Sequence, residues 1–185
     1  MSGASNHKVV ILDRDGTIVI DRNYLSDAAG LEFLPGAAEG LRAMHEQGYR
    51  LIVITNQSGV GRGLFSLQSL EQMNLRLQEM FQSSGARLER IYFCPHRPDE
   101  HCQCRKPNTQ LLKDAAAELG FEPSRAVVIG DQDSDVEFGK RAGAVTILVA
   151  AGNSTTAPAA NAADYIVRDL QQAAAVLRSR DRGAT

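Results

Sequence analysis

Two aspartates separated by one residue stand just after an apolar run near the N-terminus. The run 9–12 predicts a buried strand, and it is followed directly by Asp13-Arg14-Asp15-Gly16-Thr17. On a chain leaving a strand, Asp13 and Asp15 can point into one cavity, where one carboxylate attacks phosphorus and the other moves a proton. Gly16 would allow the tight turn that such closeness needs. The alternative is an ordinary Asp-Gly turn with a solvated carboxylate.

A second apolar run, 51–54, is followed by groups that suit the oxygens of a phosphoryl group. The hydroxyl and amide side chains and the backbone N–H groups beside Gly59 are all hydrogen-bond donors. The candidate donors are Thr55, Asn56, Gln57 and Ser58. The alternative is an unremarkable polar loop between a strand and a helix.

Two cations and a late carboxylate could complete such a site. Arg105 and Lys106 are adjacent, and together they could offset the charge of a phosphoryl group, although a solvated basic pair before a helix is the alternative. Asp131 follows the predicted strand 126–129 and a glycine, which is a suitable place for a ligand of Mg²⁺. Asp135 could orient Lys106 or a metal-bound water, whereas Asp133 is expected to cap the next helix or face solvent.

All three cysteines of the chain lie within eleven residues of one another, which favours a metal site over a disulfide framework. Three thiolates and an imidazole form a complete ligand set for tetrahedral, structural Zn²⁺. The four candidate ligands are Cys94, His96, Cys102 and Cys104. Reduced thiols on a loop are the alternative, and His101 is a rival ligand that would need a strained chelate. The cluster ends directly before Arg105, so bound zinc would fix the loop that carries both cations.

Short Val- and Ile-rich runs alternate with helical patterns, which predicts a three-layer α/β domain with a central parallel sheet. The predicted strands are 9–12, 51–54, 91–93, 126–129, 145–149 and 165–167. The predicted helices are 37–47, 67–83, 109–119, 136–142 and 170–178. Residues 17–35 show no clean period and predict a flap after the first strand. The stretch 153–163 predicts a surface loop, and flexible tails are expected at 1–7 and 179–185.

Length, charge and hydropathy limit the classes of protein that fit. The chain has 185 residues, 43% of them apolar, and a formal net charge of −2. This length suits a single domain, the charge argues against a nucleic-acid groove, and no apolar run is long enough to span a membrane. We therefore expect a monomeric cytoplasmic protein without nucleic-acid or membrane partners.

Taken in chain order, these groups resemble the haloacid dehalogenase superfamily of phosphohydrolases. The shared pattern is strand–Asp-x-Asp-Gly-Thr, strand–Thr-Asn, Lys, and strand–Gly-Asp-x-x-x-Asp, and the resemblance covers residues 8–170. It implies a Rossmann-like fold in which Asp13 is the nucleophile and Asp15 the general acid and base. It implies also that Thr55 and Lys106 hold the phosphoryl group. The implied ligands of catalytic Mg²⁺ are Asp13, the backbone carbonyl of Asp15, and Asp131.

The segment 94–107 narrows the resemblance to a subgroup that lacks a large cap domain and dephosphorylates heptose 1,7-bisphosphates or histidinol phosphate. The stretch 55–63 and the start of the flap favour the heptose branch. We expect hydrolysis of the C7 phosphate of D-glycero-D-manno-heptose 1,7-bisphosphate. The alternatives are histidinol phosphate as substrate, a non-catalytic zinc-stabilised phosphosugar-binding module and, as a weaker rival, a polynucleotide phosphatase. The expected substrate contacts are Asp21, Arg22, Asn23, Tyr24, Asn56, Gln57, Ser58 and Arg105.

Overall fold

The computed structural model describes residues 8–150, 160 and 162–183, which contain a six-stranded sheet in the order β3-β2-β1-β4-β5-β6. Every pairing in the sheet is parallel. The strands are β1 (Val9–Leu12), β2 (Arg50–Asn56), β3 (Leu88–Cys94), β4 (Val127–Gly130), β5 (Val145–Val149) and β6 (Tyr165–Val167). The predicted central parallel sheet is thereby confirmed. The strands β2 and β3 extend beyond the apolar runs that predicted them, because the residues on either side of each run continue the parallel pairing.

Helices connect the strands and pack on both faces of the sheet. They are α1 (Ala37–Glu46), α2 (Ser58–Gly61), α3 (Leu67–Ser83), α4 (Gln110–Leu119), α5 (Asp133–Arg141) and α6 (Leu170–Gly183). Helix α5 begins three residues earlier than predicted, at the aspartate that was expected to cap it. The residue before α5, Gln132, forms a capping box with Asp135.

The two faces of the sheet bury different residues of the same strand. Val10 and Leu12 of β1 pack in a cluster with residues of α1, α3 and α6. Val9 and Ile11 pack in a second cluster with residues of α4 and α5. Successive side chains of a strand point to opposite faces, so this division produces the three layers that the alternation of strands and helices predicted.

The C-terminal helix differs from its prediction. Residues 179–185 were expected to form a frayed tail, but α6 continues to Gly183. The reason is a pair of long-range contacts on its last turns. Asp181 accepts hydrogen bonds from the Tyr49 hydroxyl at 3.0 Å and from Lys8 Nζ at 2.8 Å. Residues 1–7 and 184–185, with most of the predicted loop 153–163, lie outside the described residues.

The connection between β1 and α1 is the predicted flap. It contains a 3-10 turn at Ala28–Gly30 and an isolated bridge between Val19 and Phe33. The described part of this connection contains no other helix and no sheet, so it does not form a separate cap domain. No helix among the described residues is both long and apolar enough to cross a membrane.

Candidate active site

The carboxyl ends of β1, β2 and β4 are adjacent, and most of the residues predicted to do chemistry meet there. In an open parallel sheet, ligands bind beyond the carboxyl ends of the strands, at the point where the strand order reverses. That point is at β1, which lies between β2 and β4. A cavity of about 430 Å³ opens above it. Its walls include Asp13, Asp15, Asp21, Tyr24, Thr55, Asn56, Arg105, Lys106, Gln132, Ser134 and Asp135.

Lys106 is the buried cation of this cavity, with 4% of its surface exposed. Its Nζ lies 2.6 Å from Asp13 Oδ1 and 2.6 Å from Asp135 Oδ1, and it donates to the Ile54 carbonyl at 2.7 Å. Burial by itself would lower the pKa of Lys106, but the charges of the two aspartates outweigh burial and hold the pKa above its usual range. The lysine therefore remains protonated and positions Asp13. The geometry also agrees with the expectation that Asp135 orients Lys106.

Three carboxylates crowd together beside this lysine. Oxygen atoms of Asp13, Asp131 and Asp135 lie within 4.8 Å of one another, close enough to hold one metal ion. Burial, followed by the charges of the neighbouring aspartates, raises the pKa of Asp13 to about 8 despite Lys106, and burial with the charge of Asp135 raises that of Asp131 to about 6. Oxygen ligands that repel one another in a buried place fit a divalent hard cation.

Two neighbours fix the orientation of Asp131. The hydroxyl of Thr17 donates to Asp131 Oδ1 at 3.0 Å, and the amide of Gln132 donates to Oδ2 at 2.7 Å. Gly16 lies directly against the same carboxylate, with φ of 81°, and a Cβ atom there would come 2.4 Å from Asp131 Oδ2. The glycine is therefore required both by its backbone conformation and by the close approach of Asp131.

The carboxylate of Asp15 makes contacts other than those of the three-aspartate cluster. It accepts hydrogen bonds from the guanidinium of Arg14 and, at 2.8 Å, from the amide of Gln57. The same Gln57 amide donates to the hydroxyl of Thr55 at 2.9 Å. The predicted acid–base group and the predicted phosphoryl ligand are thus joined through one glutamine side chain.

Asn56 has a contact that its sequence position did not reveal. Its side chain donates to the backbone carbonyl of Lys106 at 3.2 Å and accepts from the backbone N–H of Lys106 at 3.0 Å. Asn56 was predicted to touch substrate, and it does line the cavity. The reciprocal pair of bonds shows that it also joins the end of β2 to the loop that carries Lys106.

The flap provides a wall shared with a second, smaller cavity of about 210 Å³. Asp21 and Tyr24 line both cavities. The smaller cavity is also lined by Asn23, Gln57 and Ser58, all of them predicted substrate contacts. Asn23 and Tyr24 have φ of 50° and 66°, which places two consecutive non-glycine residues in the left-handed region. Such backbone strain is concentrated at functional sites.

Arg22 is the predicted substrate contact that the structure does not bring to the site. It lines neither cavity, and its guanidinium forms an ion pair with Glu32 at 2.7 Å. The substrate contact of Arg22 stays a prediction, and in this structure the side chain is directed to a partner on the flap. A different arginine approaches the flap: the guanidinium carbon of Arg62 lies 5.9 Å from the centroid of the Tyr24 ring.

The predicted zinc ligands form a compact cluster after β3. Their ligand atoms, on Cys94, His96, Cys102 and Cys104, lie within 4.8 Å of one another. The Cys104 sulfur is 3.1 Å from both the Cys94 sulfur and His96 Nδ1. Burial raises the pKa of the Cys94 thiol, and a bound metal ion would stabilise its thiolate form. Three sulfurs and an imidazole at such distances fit a tetrahedral Zn²⁺ site, and His101 does not belong to it.

The family follows from comparison of the chain with protein-family models. A model described as "Haloacid dehalogenase-like hydrolase" matches residues 10–133. The chain belongs to the haloacid dehalogenase-like hydrolases. A second model of this family, described as "HAD-hyrolase-like", matches residues 103–173. Together the matched segments contain every residue discussed above as a catalytic or metal-ligating candidate.

Curated members of the family give closer relatives. The chain is 42% identical over 139 residues to the D-glycero-beta-D-manno-heptose-1,7-bisphosphate 7-phosphatase of Helicobacter pylori, covering 75% of this chain and 80% of that one. It is 32% identical over 179 residues to the enzyme of the same name from Haemophilus influenzae, covering 93% of this chain and 97% of that one.

Solved structures of this hydrolase family share the fold. The D,D-heptose 1,7-bisphosphate phosphatase from B. bronchiseptica, complexed with magnesium and phosphate, superposes with a TM-score of 0.82 at 26% identity, covering 94% of this chain and 99% of that one. The D,D-heptose 1,7-bisphosphate phosphatase from Burkholderia Thailandensis gives a TM-score of 0.71 at 29% identity, covering 93% and 99%. The Rossmann-like fold expected from the sequence is thereby confirmed.

Proposed function

We propose that this hydrolase removes the C7 phosphate from D-glycero-D-manno-heptose 1,7-bisphosphate and releases heptose 1-phosphate, as a step toward nucleotide-activated heptose. The observation that carries the proposal is the placement of Asp13. Its side chain is only 11% exposed, is oriented by Lys106 at 2.6 Å, lies beside the carboxylates of Asp131 and Asp135, and lines an open cavity. Relatives at 32–43% identity are named for this reaction.

The reaction would divide into two phosphoryl transfers. An oxygen of Asp13 attacks phosphorus, while Thr55 and Lys106 hold the phosphoryl oxygens. Asp15 gives a proton to the departing C7 oxygen, and then takes a proton from the water that attacks the aspartyl phosphate. Lys106 is suited to its part because it is fully protonated and buried.

We propose that Mg²⁺ is held by Asp13, Asp131 and the backbone carbonyl of Asp15. Bound there, it supplies positive charge between the nucleophile and an incoming phosphate, two anions that otherwise repel. Asp135 is given a different part in this proposal: one of its oxygens contacts Lys106 Nζ and the other accepts from the backbone N–H of Gln132, so it orients the lysine. The side chain of Asp15 is likewise engaged elsewhere, which leaves its backbone carbonyl for the metal.

We propose further that Zn²⁺ occupies the cluster of Cys94, His96, Cys102 and Cys104 and has a structural role. All four ligand positions come from the protein, as is usual for structural zinc. The cluster directly precedes Arg105 and Lys106 in the chain. A further bond, from the Asn108 amide to the Cys102 carbonyl at 2.8 Å, joins the two sides of this loop.

The substrate is inferred from the relatives and from the charges at the cavity. Arg105 and Lys106 line the cavity wall, which suits a substrate with two phosphates. Histidinol phosphate remains the second candidate because Asp21, an acidic group, lines both cavities and could receive an amine. A binding module without activity would need neither the nucleophile Asp13 nor its oriented lysine.

A phosphate-release panel tests the proposal. Purified protein with Mg²⁺ would be offered both anomers of heptose 1,7-bisphosphate, histidinol phosphate and fructose 1,6-bisphosphate. We expect the highest kcat/KM with a heptose bisphosphate, and no release above background with Asp13→Asn. Preference for histidinol phosphate would transfer the assignment to the second candidate.

The expectations of a single domain, a cytoplasmic location and a monomeric state stay predictions.

A further inference from the structure

Arg14 lies between the two catalytic aspartates, yet its guanidinium is almost completely buried, with 2% of the residue exposed. A buried charge destabilises a fold unless it is paired and hydrogen-bonded. Arg14 meets this condition only in part. Its Nε and Nη2 contact Asp15 and its Nη2 donates to Gln57 Oε1 at 2.9 Å, but among the described residues its Nη1 has no hydrogen-bond partner. A buried and incompletely satisfied arginine calls for a role beyond stability.

The contacts on Asp15 are unequal between its two oxygens. Oδ2 receives Arg14 Nε at 3.1 Å, Arg14 Nη2 at 2.9 Å and Gln57 Nε2 at 2.8 Å. From the residues that the structure describes, Oδ1 receives only Arg14 Nε, at 3.2 Å. A carboxylate that acts as an acid carries its proton on the oxygen with fewer donors, because a donor and a proton compete for the same lone pairs. The contacts therefore leave Oδ1 as the oxygen that can carry the transferable proton.

We propose that Arg14, acting together with Gln57, is a positioning residue that fixes the rotamer of Asp15 and selects Oδ1 for proton transfer. The proposal rests on the proposed phosphatase function. In the first step the proton on Asp15 Oδ1 passes to the bridging oxygen as the P–O bond breaks and the Asp13–phosphorus bond forms. In the second step Oδ1 takes a proton from water as the water oxygen bonds to phosphorus and Asp13 leaves.

The guanidinium shape is essential to this role. Its planar fork contacts Asp15 through two nitrogens and at the same time reaches the Gln57 carbonyl. An ammonium is a compact point charge and would not reproduce the three contacts. Gln57 in turn bonds Thr55, so the same unit holds the proton donor and a phosphoryl ligand in fixed relation.

The test compares two leaving groups in Arg14→Lys. A sugar alkoxide needs a proton to depart, whereas 4-nitrophenolate does not. With fructose 1,6-bisphosphate, or whichever sugar phosphate the wild type turns over, we expect kcat to fall about 10²-fold, the usual contribution of a general acid. With 4-nitrophenyl phosphate we expect the pre-steady-state burst of nitrophenolate to change by less than about threefold, since its departure needs no general acid. Its steady-state rate should still fall, because Asp15 also activates water.

Two further variants make the outcome decisive. Asp15→Asn should show the same selective loss, and adding Arg14→Lys to it should cause little further loss if Arg14 acts through Asp15. Arg90→Lys, at an exposed ion pair with Glu118, is the matched control and should match wild type on both substrates. If Arg14→Lys does not fold, Gln57→Leu is used instead and should give the same selectivity.

Equal losses of the sugar-phosphate kcat and of the nitrophenolate burst in Arg14→Lys, or an additive loss in the double variant, would overturn the inference and leave Arg14 a structural residue. A different result would refute the proposed phosphatase function: the wild-type protein itself would release phosphate from neither substrate.

Discussion

At the scale of single residues, opposing electrostatic effects act on the carboxyl group of Asp13. Burial and three nearby aspartates raise the pKa of its carboxyl, and Lys106 opposes them. One ammonium cannot neutralise the cluster of Asp13, Asp131 and Asp135, so the site requires additional positive charge to keep its nucleophile ionised. This requirement is the physical reason to expect that the enzyme depends on a divalent cation.

Asp13→Asn tests the nucleophile. An amide cannot attack phosphorus, so we expect kcat to fall by about 10³-fold or more. The fold should persist, because Lys106 keeps its contacts with Asp135 and Ile54. Phosphate release measures the activity and circular dichroism the fold. Substantial turnover by a correctly folded Asp13→Asn protein would refute the aspartyl-phosphate mechanism.

Removal and return of Mg²⁺ tests the cation site. Chelation should stop turnover, and added Mg²⁺ should restore it. A ligand that binds only the folded state stabilises it, by about 2.7 kcal/mol at roughly 100 times its Kd. The thermal unfolding midpoint of wild type should therefore rise with added Mg²⁺, and that of Asp131→Asn should rise much less. Full activity of a metal-free, zinc-replete sample would contradict the proposed role.

Residue types and spacing predicted that Asp13, Asp15, Thr55, Lys106 and Asp131 would lie near one another, and the structure places them at one edge of the sheet. The parts played by Arg14 and Gln132 were missed, because each depends on the direction of a side chain and on a partner elsewhere in the chain. The one available signal was the charge of Arg14, which stands between two carboxylates directly after a strand. The ion pair of Arg22 with Glu32 on the flap was missed for the same reason.

At the scale of elements, the site depends on loops held from both sides. Asn56 at the end of β2 bonds both backbone groups of Lys106, and the Cys/His cluster lies in the chain just before it. The flap is held by an Asx contact, in which Asp21 accepts from the Asn23 backbone N–H at 2.9 Å, and by Arg62 over the Tyr24 ring. Buried apolar runs identified the strands, whereas such loop contacts and the last turns of α6 involve distant residues that no local pattern contains.

Cys104→Ser tests the link between the metal loop and catalysis. We expect about one equivalent of zinc to co-purify with wild type and less with the variant, whose unfolding midpoint should fall because metal binding is coupled to folding. Turnover should also decrease, although the ligand does not contact the reacting atoms, because Arg105 and Lys106 lose their anchor. Elemental analysis, calorimetry and phosphate release measure the three effects. A zinc-free wild type with freely reactive thiols would disprove the site.

At the scale of the whole molecule, the strand order determines which loops can meet. The chain proceeds from β1 outward to β3 and then returns to β4 on the other side, so Asp13 lies at the point where the direction reverses. Lys106 comes from the connection between β3 and α4, and Asp131 from the end of β4. The sequence predicted a parallel sheet but not this order, because all the buried runs are equally apolar and any of them could have been central.

The same architecture leaves recognition of the far end of the substrate to loops, because no cap covers the cavity in the described residues. Arg105 lines the cavity, and its Nη1 is buried and has no hydrogen-bond partner in the described part of the chain. A second phosphate in the cavity could pair with this guanidinium, and a charge-assisted bond of that kind contributes about 1.5–3 kcal/mol. Histidinol phosphate offers an amine and an imidazole, which Arg105 would repel or leave unpaired.

We therefore predict that heptose 1,7-bisphosphate has a kcat/KM at least about tenfold above that of histidinol phosphate, the equivalent of about 1.4 kcal/mol. Arg105→Ala should narrow this gap mainly by weakening the bisphosphate, and a charge-conserving Arg105→Lys should restore part of it because the bidentate contact is lost but the charge remains. Steady-state kinetics with both substrates measures the gap, with Arg76→Ala at an exposed ion pair as the control. Equal or better turnover of histidinol phosphate by wild type would overturn the substrate assignment. It would not overturn the aspartyl-phosphatase mechanism, because that mechanism depends on Asp13 and Lys106 and not on the far end of the substrate.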